Sequence, residues 1–238
     1  MSSLGVIVAR GGSRRIPRKV LQSVAGTPLL AWCARAARQS RLQRIVLSTD
    51  DEEIAALGRS EGIEVPFMRP AALAGDFVCN DDVVLHAMAA LDAEFDIAVL
   101  LQPTVPFMLP AHIDACLDSV EAGEAACCFA AKPVREPPQW MFTQAADGAL
   151  SLLMGGALAG DRQHTQKLAP HLLPAGAIWA IRSATLKTTG RIYSEPLRAV
   201  TMEPERAVDI DEPEDLAVAE AYARQFGFAP FAEAANVD

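Results

Sequence analysis

The chain has 238 residues, 51% of them hydrophobic, which is enough to bury the core of one α/β domain without a second. A formal net charge of -9 excludes a general nucleic-acid or anionic-membrane surface, because such partners need a basic field. Five cysteines lack CxxC spacing, so reduced buried thiols are expected and a structural zinc site is not. The N-terminal residues lack a cationic lead and long apolar stretch, and no window approaches a membrane span. A soluble, cytoplasmic protein is the expectation.

Residues 4–9 (LGVIVA) form a short apolar, β-prone run that stops at Arg10-Gly11-Gly12-Ser13, the pattern of a buried parallel strand. A helix is expected over residues 28–39, with Pro28 suited to its first turn and an apolar stripe from Leu29 to Ala37. The alternation continues with a strand at 44–48, a helix at 50–59 and a short strand at 62–67. A helix at 81–91, a strand at 96–101, a helix at 110–123 and a strand at 125–131 follow. Such alternation predicts a doubly wound, mainly parallel sheet with ligands outside the carboxyl ends of its strands.

Periodicity is lost over residues 132–174, where Pro133, Pro137, Pro138, Gly155, Gly156 and Gly160 interrupt isolated apolar pairs. This stretch reads as an insertion within a single domain, long enough for an arm, spanning about 132–175, that packs on a second subunit. Strands are expected again at 176–181 and 206–210, then an amphipathic helix at 213–226 and a frayed tail over 227–238.

Arg10, Arg14, Arg15, Arg18 and Lys19 crowd into ten residues of an acidic chain. Gly11, Gly12 and Ser13 follow the first strand directly, where backbone amides can turn toward an anion while the cations neutralise a triphosphate. Arg10 and Lys19 are the leading candidates. The loop is neither GxxxxGK[ST] nor GxGxxG, so it indicates neither a P-loop kinase nor a Rossmann dehydrogenase. The plainer alternative is a solvated basic loop. Near the C-terminus, Asp209 and Asp211 lie two apart in an extended segment and share a face, with Ile210 turned to the core. Paired carboxylates suit Mg²⁺, which takes few protein oxygens and completes its octahedron with water and phosphate. Alternatively, Asp211, Glu212, Glu214 and Asp215 cap the last helix.

Ser48-Thr49-Asp50, Met68-Arg69-Pro70 and Leu101-Gln102-Pro103-Thr104 each end a strand beside the expected cleft. Arg69 can reach a base or phosphate, and Gln102 a sugar hydroxyl. The first triplet serves equally well as a helix cap. His86, His112, His164 and His171 suggest no nucleophile system.

Six blocks in order, ARGGSRRIPRK at 9, VLSTDDEEIA at 46, VPFMRPAALAGD at 65, LLQPTVPF at 100, AGAIW at 175 and DIDEPEDLAVAE at 209, span nearly the whole chain. On these the sequence resembles the acylneuraminate cytidylyltransferases, which activate sialic acid and related nine-carbon acids as CMP-sugars. The resemblance implies a nucleotide-diphospho-sugar transferase-like sheet with a dimerisation arm, a homodimer, CTP as cosubstrate, Mg²⁺, and pyrophosphate as second product. It implies that Arg10, Arg14 and Lys19 hold the triphosphate, Arg69 lies by the nucleotide, Gln102 approaches the sugar acid, and Asp209 with Asp211 carries the metal.

IPRK, Pro106-Phe107, Pro137-Pro138-Gln139 and Ala175-Gly176 resemble the pseudaminic acid branch more than the sialic acid branch. Gln102 sits where that branch often has tyrosine, so legionaminic and N-acetylneuraminic acids remain competitors. Val20 stands where most relatives have asparagine, and Cys79 with Asn80 where Ser or Thr is common near the cytosine. One basic cluster leaves no second phosphate site, which favours a substrate with a single carboxylate over a sugar phosphate. A Kdo cytidylyltransferase and a non-catalytic nucleotide-binding relative stay open.

Overall fold

A computed structural model describes residues 1–160 and 164–231. The described residues divide into two compact units, one within 1–131 and 174–231 and one within 132–173.

The larger unit is built on a six-stranded sheet. Its first strand, β1 (Ser3–Val8), is buried along its whole length, as a continuous apolar run must be when both sheet faces are covered. A two-residue hairpin, β2 (Ser23–Val24) and β3 (Thr27–Pro28), leads into α1 (Leu29–Arg38). Then come β4 (Arg44–Ser48), α2 (Glu52–Ser60), α3 (Asn80–Ala89), β5 (Ile97–Leu101), α4 (Pro110–Glu121) and β6 (Cys127–Pro133). The smaller unit contributes the hairpin β7 (Phe142–Gln144) and β8 (Leu150–Leu152). The chain continues as β9 (Leu172–Arg182), α5 (Ser183–Thr189), β10 (Leu197–Thr201) and α6 (Pro213–Phe226).

The strand order is β10-β6-β9-β5-β1-β4. β1 runs parallel to β4 and β5, and β10 parallel to β6, whereas β9 is antiparallel to β5. The sheet is thus mixed and mostly parallel. That antiparallel strand matters for the site, because its N-terminal end lies with the carboxyl ends of β1, β4 and β5.

Two apolar layers cover the sheet. On one side Leu30, Cys33 and Ala37 of α1 join Ile113, Cys116 and Leu117 of α4 over Ile7, Val99 and Leu101. On the other, Val83, Val84 and Ala87 of α3 pack with Leu4, Val6 and Trp179. A third cluster joins Ile16, Trp32, Phe107 and Ile210 to Ala219 and Ala223 of α6. Trp32 meets Phe107 edge-on at 5.3 Å, and its indole N–H donates to the Val24 carbonyl at 3.0 Å. This cluster fixes the root of the basic loop against the segment that carries Asp209 and Asp211.

Several expected elements differ. Residues 62–67 form no strand; Glu64 makes one isolated parallel bridge to Val46, because the chain turns away at Pro66. Residues 206–210 form no strand; Arg206 ends a turn, with the Ala207 amide on the Glu203 carbonyl at 3.1 Å, and Ile210 is anchored by its own amide to the Thr104 carbonyl at 2.9 Å. α5 and β10 are additional; α5 (SATLKTT) lacks an apolar stripe, and β10 is a largely exposed strand at one end of the sheet. Asp51, not Asp50, caps α2, accepting from the amides of Glu53 and Ile54 at 2.9 and 3.1 Å. In the segment expected to fray from 227, Phe228 packs on Phe107 at 4.8 Å, with the Arg206 guanidinium 4.3 Å from its ring centre. Residues 232–238 lie outside the described residues.

Within the smaller unit, β7 and β8 pair antiparallel, with Phe142 opposite Leu152, and Gly148 takes positive φ at the turn. Phe142, Leu150, Leu153, Met154, Leu172 and Leu173 are all substantially exposed.

Candidate active site

A cleft of about 540 Å³ opens at the carboxyl ends of β1 and β5. The sequence-predicted residues Arg10, Ser13, Arg14, Lys19, Arg69, Asn80, Gln102, Asp209 and Asp211 all line it. Gly11 and Gly12 do not. The Gly11 amide donates to Asp50 Oδ1 at 3.0 Å, so it is engaged within the protein and not turned to the cleft. What Gly11 supplies is clearance: a Cβ there would lie 2.7 Å from Asp51 Oδ2.

The two charged segments meet directly. Lys19 Nζ donates to Asp211 Oδ1 and to the Ile210 carbonyl, both at 2.7 Å, joining residues 192 apart in the chain. Lys19 is nearly buried, in a one-turn 3₁₀ helix (Lys19–Leu21) entered through Arg18 in the left-handed conformation. The Lys19 hydrogen bond, with its charge and that of Arg15, holds the Asp211 carboxyl below the usual carboxylate range against partial burial. Arg15 lies 3.3 Å from Asp211 and 2.7 Å from Glu212. Arg18 reaches Asp51 and Glu53, each at 2.9 Å. Arg10 pairs with Asp76 at 2.7 Å, and Arg14 pairs with the same carboxylate. Every cation of the loop therefore ends on a carboxylate.

The acidic side is set by backbone. Asp215 Oδ2 accepts from the amides of Asp211 and Glu212 at 2.9 and 2.8 Å, which caps α6 while leaving Asp211 turned to the cleft. The capping role thus falls on Asp215 and Glu212. Asp209 stands beside Gly176 of β9, where a Cβ would come within 2.5 Å of Asp209 Oδ2 and where φ is +77°. A side chain at 176 would collide with the carboxylate, which gives the Ala175-Gly176 pair its physical meaning.

Arg69 follows the bridge residue Glu64 and is 7% exposed. Its Nε donates to Ser48 Oγ at 3.0 Å and a terminal nitrogen donates to the Ser48 carbonyl. Burial lowers its pKa to about 10, still well above neutrality. Ser48 and Thr49 are fully buried, so that triplet serves as a holder for Arg69 while Asp50 steadies the loop at Gly11. The Gln102 backbone amide donates to the Ala177 carbonyl at 2.9 Å, which ties the end of β5 to β9 where Gln102 lines the cleft. Val20 is 5% exposed and belongs to the core. Asn80 opens α3 next to exposed Cys79. His112 takes no part; its Nδ1 accepts from the Leu109 amide at 3.2 Å and closes the first turn of α4.

Sequence reasoning missed Asp76 and Phe77 as cleft residues and gave Thr104 and Arg15, both at the cleft, no role of their own. Phe77 lies in an irregular stretch before α3, and Asp76 ends the block VPFMRPAALAGD with no charge pattern to single it out.

A mostly parallel α/β sheet with cations and paired carboxylates at its carboxyl end defines a nucleotide-handling fold. The cytidylyltransferase family model matches residues 4–151, and the chain belongs to that family. It is 32% identical over 228 residues to a 3-deoxy-manno-octulosonate cytidylyltransferase of Acidobacterium capsulatum, covering 92% of this chain and 84% of that protein. It is 31% identical over 228 residues to the CMP-N,N'-diacetyllegionaminic acid synthase of Legionella pneumophila, covering 92% and 95%. The solved structure of a CMP:2-keto-3-deoxy-manno-octonic acid synthetase complexed with CTP superposes with a TM-score of 0.69 at 18% identity, covering 95% of this chain and all of that one. At that identity the likeness is one of fold.

Proposed function

We propose that the chain transfers CMP from CTP to an acidic nine-carbon sugar and releases pyrophosphate, with pseudaminic acid the first candidate substrate and legionaminic and N-acetylneuraminic acids next. The observation that carries this reading is the 2.7 Å contact of Lys19 with Asp211, which makes the basic loop and the acidic segment one site.

In the proposed reaction the anomeric hydroxyl of the sugar acid attacks the α-phosphorus in line. The hydroxyl gives up its proton to solvent as its oxygen bonds to the α-phosphorus, and the bond from that phosphorus to the α–β bridging oxygen breaks so that pyrophosphate leaves. Arg10, Arg14 and Lys19 neutralise the triphosphate, and Lys19, nearly buried and fixed at two oxygens, is the cation best held for charge that grows in the transition state. Arg69, pinned by Ser48, offers a permanent positive charge at the nucleotide. Gln102 presents a neutral amide to the sugar. No side-chain nucleophile is needed.

Asp209 and Asp211 fit Mg²⁺: both line the cleft, both are hard oxygen donors, and Gly176 leaves room for the first. The pair supplies few ligands, so water and substrate phosphates would complete the octahedron. When bound between these carboxylates, Mg²⁺ would supply charge neutralisation at the phosphates.

The exposed apolar side chains of residues 132–173 support a homodimer as part of the proposal, because that much apolar surface on a small unit is normally covered. A cytoplasmic setting belongs to it as well; among the described residues no helix is long and apolar enough to cross a membrane. A second reading, Kdo as the acid, is supported by the 32% identity over 228 residues to the Acidobacterium relative. Pyrophosphate release from CTP with pseudaminic, legionaminic, N-acetylneuraminic and Kdo acids separates the readings. The expected result is turnover with a nonulosonic acid at least tenfold above Kdo; the reverse order replaces it with the second reading, and no release with any acid defeats both.

A further inference from the structure

Asp76 is a carboxylate placed where an anionic ligand belongs. It lies between the 3₁₀ turn Ala71–Leu73 and α3, lines the cleft, and holds two arginines with separate oxygens: Oδ1 takes Arg10 at 2.7 Å and Oδ2 takes Arg14. One carboxylate shared by two guanidinium groups is also how a phosphate is held. Arg10 is tied to the same stretch again through the Ala74 carbonyl at 3.4 Å.

The surroundings agree. A side cavity of about 200 Å³ shares Arg10, Arg69, Asp76 and Asn80 with the main cleft, and residues 73–78 supply its remaining wall with Val83. Phe77, next in the chain, is 97% exposed although it lines the cleft. The segment is thus attached to the site through charge, not through burial of its aromatic ring. The two arginines hold the Asp76 carboxyl below the usual carboxylate range, so it is charged at neutral pH.

We infer that Asp76 is an internal occupant of the anion site, displaced from Arg10 and Arg14 when a nucleoside triphosphate binds, and that its release frees residues 74–78 and joins the two cavities. This rests on the reading of the cleft as a CTP site. A triphosphate that entered without displacing Asp76 would lie beside a like charge and compete for the same donors. The segment therefore tunes affinity: it lowers binding of polyphosphate by the strength of the two ion pairs.

The test is calorimetric titration of inorganic pyrophosphate and of CTP into full-length wild type, Asp76→Asn and Asp92→Asn, the last an exposed carboxylate outside the cleft that controls for net charge. Asp76→Asn is expected to bind pyrophosphate about two- to tenfold more tightly than wild type, the range that exposed ion pairs support, with Asp92→Asn unchanged. Hydrogen exchange on the wild-type chain gives a second measurement that needs no variant: saturating CTP should speed exchange of the 74–78 amides. Equal or weaker binding by a folded Asp76→Asn, or exchange at 74–78 that CTP leaves unaltered or slows, overturns the inference while leaving the CTP site intact. Binding of neither anion by any of the proteins overturns both.

Discussion

The two walls of the cleft are held in different ways. The basic wall, residues 10–19, leans on side-chain ion pairs: Arg10 and Arg14 on Asp76, Arg15 on Asp211 and Glu212, Arg18 on Asp51 and Glu53. The acidic wall is fixed by backbone and packing. Ile210 is fully buried with its amide on Thr104, and Asp215 accepts the amides of Asp211 and Glu212. Exposed ion pairs contribute little each and exchange readily, whereas a buried anchor flanked by a helix cap does not. The contrast teaches that the carboxylates are set before ligand arrives and that most of the cations are free to trade partners. Lys19 is the exception, being nearly buried.

If the contrast holds, variants on the acidic wall should cost catalysis, and those on the exposed cations should cost binding. The largest effect is expected from Asp211→Ala, which removes a half-exposed side chain and should lower kcat about 10³-fold, as several kcal/mol of lost charge stabilisation would, with the melting temperature little changed. Retained turnover would break the acidic wall's role. Lys19→Ala should lower kcat/KM about 10²-fold, comparable to losing one preorganised donor, and should also reduce stability in urea melts because the Ile210 carbonyl loses its partner. Gly176→Ala should lower kcat roughly tenfold by pushing on Asp209, at a cost of about 1–2 kcal/mol for a side chain at positive φ. An active, stable Gly176→Ala would show that Asp209 has room to move.

The smallest effect concerns pH. Asp211 has a folded-state pKa below its unfolded value of about 3.9, so its contribution to stability is present above roughly pH 4 and is lost as pH falls through the folded value. Asp211 is about half exposed, so screening limits this to less than about 1 kcal/mol. Asp211→Asn should therefore flatten the acid limb of stability against pH slightly; an unaltered limb would mean that the Lys19 pair adds nothing to the fold.

Elements with continuous apolar runs or a clear stripe were legible in the sequence: β1, β4, β5 and α6 lie where the pattern puts them. Residues 62–67 misled because an apolar run can end in one bridge instead of a ladder when Pro66 removes the next donor. The antiparallel direction of β9 was hidden, since alternation of strands and helices breaks at residue 132 and carries no direction afterwards. In the site, charge was legible and partnership was not. Five cations in ten residues stand out in an acidic chain, but nothing in AGDFVCN shows that Asp76 will meet Arg10 across 66 positions. Likewise the Gly11-Gly12 pair suggested amides turned to an anion, while Gly11 serves Asp50 and makes room for Asp51.

Under the proposed function both walls act in one nucleotidyl transfer, with Mg²⁺ held at the carboxylate pair. Pyrophosphate release from CTP and a nonulosonic acid, followed as Mg²⁺ is titrated into protein stripped with EDTA, tests it most directly. Release should be absent without the metal and rise to saturation with it in the wild type, and should stay near zero at every concentration in Asp211→Ala. Full release in EDTA, or equal release by the variant, would contradict it.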